Sequence, residues 1–62
     1  MSFYPSAIIL IKPGDLIKKI RGYGSEHDWV GLVIKPPNPA GKILVLHDGE
    51  VNYWLADFVE VL

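Results

Sequence analysis

Apolar residues fall in short blocks along this chain, with turn residues between them. Asp15 to Arg21 sets Leu16, Ile17 and Ile20 among Lys18, Lys19 and Arg21. Trp29 to Lys35, Lys42 to His47, Val51 to Leu55 and Val59 to Leu62 follow, rich in the β-branched and aromatic residues that suit a pleated surface. No stretch carries an apolar stripe at the helical period of 3.6 residues. Two turns fix the register between these blocks. In Lys12-Pro13-Gly14-Asp15, proline presets φ at the first central position, and glycine accepts the positive φ that a type II turn needs at the second. In His47-Asp48-Gly49-Glu50, Asp-Gly between two apolar runs predicts a hairpin with a type I′ turn.

Two of the remaining connections are longer loops. Gly22 to Asp28 is a loop by composition, and Pro36-Pro37-Asn38-Pro39-Ala40-Gly41 is too proline-rich for a strand interior. Gly31 interrupts the Trp29–Lys35 run, which predicts a bulge or the close approach of another part of the chain. Ala56-Asp57-Phe58 has the length of one 3₁₀ turn. Strand, long loop, strand, loop, strand, tight hairpin, strand, helical turn, strand is the order of an SH3-like barrel. The expected fold is therefore all-β: one small five-stranded SH3-like barrel over residues 1–62. Residues 1–11 form an N-terminal arm, or an added strand over Ala7–Ile11.

Alternation within the strands is poor, and that changes the picture. A barrel wall needs only its inner face apolar. Here Val30, Leu32 and Ile34 make one face of their strand, with Trp29 and Val33 on the other. Ile43 and Val45 oppose Leu44 and Leu46; Val51, Tyr53 and Leu55 oppose Asn52 and Trp54. A second apolar face drawn from Trp29, Val33, Leu44, Leu46 and Trp54 is expected, covered either by the chain's own Phe3–Ile11 segment or by another subunit.

Composition supports that expectation. Sixty-two residues make one domain at most, and a chain so short buries only about 60% of its unfolded surface. There is no cysteine, so disulfides and thiolate metal sites are excluded. Half of the residues are apolar, a rich supply for a small domain. The net charge of −1 lacks the basic excess of a dedicated nucleic-acid binder. The longest apolar run, Ala7 to Ile11, is far below a membrane span and lacks the flanks of a signal peptide. The simplest expected location is the cytoplasm, with no membrane partner.

Lys12-Pro13-Gly14-Asp15-Leu16-Ile17, Val30-Gly31-Leu32-Val33-Ile34, Asp48-Gly49-Glu50 and Asp57-Phe58-Val59-Glu60-Val61 together resemble small SH3-like barrel proteins of tailed bacteriophages, the cyanophage type included. The resemblance covers Lys12 to Leu62 and implies a host-cell cytoplasmic location, but little about activity. The run before Lys12 departs from the shortest members. Leu55 to Val61 also looks like the end of the SH3-like peripheral subunit of photosystem I, whose basic first-strand region is not matched here.

Candidate chemistry is sparse. His27-Asp28 and His47-Asp48 offer imidazole and carboxylate, but each pair fits a turn, and no ligand spacing supports a metal site. Ser2, Ser6 and Ser25 are the only serines; Ser25 and His27 sit in a glycine-rich loop without an orienting acid or oxyanion hole. Gly22-Tyr23-Gly24 lacks the residues of a phosphate loop. No catalysis, metal or cofactor is expected. The aromatic residues are the useful lead. Tyr23 and Trp29 bracket the first loop, Tyr53 and Trp54 follow the hairpin, and these regions can meet at one edge of such a barrel. With Leu44 and Leu46 they are the expected protein-binding residues, either in self-association or in a groove for a proline-rich peptide or a cation. The alternative is a KOW-like nucleic-acid-binding barrel using Lys18, Lys19 and Arg21, although these three cannot share one face of a regular strand.

Overall fold

The computed structural model describes residues 11–62. The expected N-terminal arm or strand, with Phe3, Tyr4 and all of Ala7–Ile11 except Ile11, lies outside the described residues. Five strands follow: β1 (Leu16–Lys19), β2 (Val30–Lys35), β3 (Lys42–His47), β4 (Glu50–Leu55) and β5 (Val59–Val61). They form one antiparallel sheet in the order β4-β3-β2-β1-β5. Short 3₁₀ turns occupy Ser25–His27 and Ala56–Phe58. The fold is all-β and barrel-like, with the strand order expected of a small SH3-like barrel.

Both signature turns form as their residues dictate. Gly14 has φ 93° and the Asp15 N–H donates to the Lys12 carbonyl at 3.1 Å, closing the type II turn. Asp48 and Gly49 have φ 52° and 78°, the two positive values that a type I′ turn needs. The hairpin register then runs from His47↔Glu50 through Ile43↔Trp54 to Lys42↔Leu55 without a slip.

The sheet coils so that its inner side becomes the core. Ile17, Val33, Ile43, Val45, Trp54 and Val59 are buried there with Ile11, and Trp29 and Ala56 pack against them. In a flat sheet β1 and β4 would stand three strand steps apart, roughly 14 Å. Here the Lys19 ammonium from β1 lies 5.1 Å from the centroid of a Trp54 ring in β4. Gly31 makes this closure fit. A Cβ at that position would overlap Val45 Cγ1 and stand 3.2 Å from Trp54. The expected interruption in β2 is therefore a close approach. The bulge lies further on, where Ile34 and Lys35 together oppose Leu44 between the pairs Val33↔Val45 and Lys35↔Leu44.

The strand faces differ from the sequence expectation. Val33 and Trp54, assigned to a second apolar face, belong to the core. Val30, Leu32 and Ile34 are exposed. The register gives the reason: Val33 pairs with Val45 and Trp54 with Ile43, both fully buried, while Leu32 pairs with Leu46 on the outside.

Candidate interaction surfaces

The six expected protein-binding residues divide between two places. Trp29 stacks with Trp54 over the core and meets the exposed Tyr23 edge-on; Leu44, Leu46 and Tyr53 face outward on β3 and β4. Tyr53 and Trp54 are neighbours in one strand, so their side chains point to opposite faces.

The inner group is a stack of rings. Trp29 lies against His47 with centroids 4.5 Å apart and the planes 28° from parallel, and Trp54 follows at 6.4 Å from Trp29. Tyr23 meets Trp29 edge-on at 5.3 Å. His47 Nδ1 donates to the Val30 carbonyl at 2.8 Å, which fixes the ring across the β2–β3 pair. Gly24, with φ 96°, sits directly under Trp29, where a Cβ would collide with the indole. The Trp29 and His27 N–H groups both donate to its carbonyl. These contacts hold the aromatic residues against one another and against Lys19. Trp54 is only 6% exposed, so it serves the core, which corrects its place among the surface candidates. Tyr23 is the exposed rim of this stack.

The outer group belongs to a larger surface. Leu16 faces Leu32, Leu32 faces Leu46, and Leu46 faces Val51, one row crossing four strands. The four are 51%, 38%, 37% and 51% exposed. Beside that row, Leu44 faces Tyr53, and Ile34 is exposed on β2. Tyr53 was legible as a candidate; Leu16, Leu32, Ile34 and Val51 were not. The signal was Gly31, whose close approach puts its own parity, and hence Val33, inside.

The basic residues do not gather. Lys18 faces outward between Val30 and Glu60, whereas Lys19 pairs with Val59 on the inner side and covers Trp54. Arg21 lies beyond the end of β1, its N–H donating to the Phe58 carbonyl. Among the described residues no group of three or more His, Cys, Asp or Glu side chains is arranged to hold a metal ion, and His27 lies beside Glu26 on the first loop. The Asp15 carboxyl is held below its ordinary range. The Lys12 N–H, 3.0 Å from its Oδ2, lowers its pKa; partial desolvation opposes this, and the Lys12 ammonium, 3.4 Å from Oδ1, adds to the lowering. That contact braces the first turn. No helix among the described residues is long and apolar enough to cross a membrane. Comparison with family profiles, curated proteins and solved structures found no match to this chain.

Proposed function

We propose that this chain is a small non-catalytic interaction module, of the kind encoded by tailed phages, that associates with copies of itself through the outer face of its sheet. The observation carrying the proposal is the apolar row Leu16, Leu32, Leu46 and Val51, flanked by Ile34, Leu44 and Tyr53. Four strand widths by about six residues is an area on the order of 400 Å² in projection, the size at which surface patches are often functional. Burying apolar area is worth about 25 cal/mol per Å². Long-range repulsion between copies is weak, because the net charge is only −1.

The test is solution mass by light scattering across a dilution series, for the wild type and for Leu46→Glu. The proposal expects a concentration-dependent oligomer whose mass the substitution lowers without unfolding. A wild type that stays monomeric at every concentration would overturn it, and would leave the segment before Ile11 or a different protein as the cover of that face.

A further inference from the structure

We infer that the free edge of β4 is a second self-association surface, pairing antiparallel with β4 of another copy about a two-fold axis at Tyr53. This inference rests on backbone geometry and stands apart from the face proposed above.

The two-residue type I′ turn makes His47↔Glu50 a hydrogen-bonded pair, and such pairs alternate along an antiparallel ladder. Asn52 and Trp54 therefore direct their backbone groups inward to β3. The Ala56 N–H continues the same alternation by donating to the Gly41 carbonyl at 2.8 Å. Val51, Tyr53 and Leu55 thus direct their N–H and C=O groups away from β3, toward the free edge. No backbone bond to these groups is made by any described residue outside the sheet.

Folded proteins blunt such an edge with proline, lysine, a bulge or extreme shortness. β4 has none of these: it is six residues long, keeps a continuous register and carries only Glu50, at its end, as a charge. The opposite edge, β5, is three residues long and carries Glu60 in its middle. Among the described residues, the unprotected edge is β4.

A second copy fits this edge better than an arbitrary strand does. Pairing Tyr53 with its symmetry mate places Val51 opposite the mate's Leu55, and Leu55 opposite the mate's Val51. All three outward-directed residues then bond, and every outer-face neighbour across the new seam is uncharged. The apolar row Leu16, Leu32, Leu46, Val51 gains the mate's Leu55 as its next member. The two Glu50 side chains lie at opposite ends of the seam. An interface of this kind is isologous; with a second isologous contact through the outer face, copies join beyond the dimer.

The experiment is amide hydrogen exchange, read residue by residue by NMR at several concentrations, together with light scattering of Tyr53→Pro, Tyr53→Lys and Leu46→Glu. Proline is tolerated on an edge where its missing N–H faces away from the sheet, and the lysine variant keeps the backbone intact. We expect the Val51, Tyr53 and Leu55 amides to gain protection at least tenfold as concentration rises. Asn52 and Trp54 should be protected throughout. Both Tyr53 variants should lose one level of assembly, and Leu46→Glu should leave the edge protection in place. Solvent-rate exchange at all three amides at every concentration would overturn the inference. So would full protection that persists in the monomer, which would mean that the chain's own segment covers the edge. Failure of the face reading is read separately, as unchanged mass for Leu46→Glu.

Discussion

Leu32 in β2 and Leu46 in β3 stand directly opposite each other on the outside of the barrel, 38% and 37% exposed. A pair of leucines in register would ordinarily be core. Here the core lies one residue away on each strand, at Val33 and Val45. Substitution of either leucine by glutamate should change assembly and leave folding alone. Unfolding free energies at low concentration should stay within the about 0.5 kcal/mol typical of surface changes. A collapse in stability for both would mean that this face is covered within the monomer.

Adjacent residues in β4 should behave oppositely. Trp54→Ala removes a buried ring contacted by Trp29 and His47, and such truncations cost about 3–5 kcal/mol. A domain of this size has roughly 3–9 kcal/mol in total, so the variant should lose a third or more of its stability, read by chemical denaturation. Tyr53→Ala should fold and melt close to the wild type in dilute solution.

Gly31 tests the closure of the barrel. Alanine there forces a methyl into Val45 and toward Trp54, and overpacking of this kind costs about 1–3 kcal/mol. Chemical denaturation should show the loss. Gly31→Ala combined with Val45→Ala should recover part of it, since the second change removes the overlapping Cγ1 atom.

Asp15 predicts a pH dependence. Its carboxyl is held below the ordinary value, about 3.9, first by the Lys12 N–H and less by the ammonium. A group with a lowered folded pKa contributes stability that is fully present above the unfolded pKa and is lost as pH falls through the folded one. Wild type and Asp15→Asn should therefore differ most near neutral pH and converge below about pH 4. Melting curves from pH 7 to pH 2 check this; parallel curves over the whole range would contradict it.

Much of this architecture was legible in the residues. Pro13-Gly14 and Asp48-Gly49 demanded specific backbone angles, so the turns and the β3–β4 register followed from local chemistry. The face of β2 did not follow, because Val30, Leu32, Val33 and Ile34 are all apolar and a period of two cannot choose between them. What chose was long-range: the space under Gly31 that Val45 and Trp54 fill. Trp54 was misplaced for a related reason. Its face-mates Glu50 and Asn52 are polar and exposed, so alternation along β4 marked no inner apolar face, and the coiling of the sheet brings Trp54 over the core. The first-loop aromatics and the hairpin region read as able to meet; Trp29 stacks on His47 and Trp54, and Tyr23 touches Trp29. In the sequence His47 reads as a turn residue and as a weak metal ligand, not as a stacking partner of Trp29.

The most direct measurement of the central claim is solution mass across a hundredfold dilution, for the wild type beside Leu46→Glu. Self-association through the outer face predicts a wild-type mass that rises with concentration and a variant mass that is lower at each matched concentration. A wild type of single-chain mass throughout, or a variant indistinguishable from it, would contradict the account.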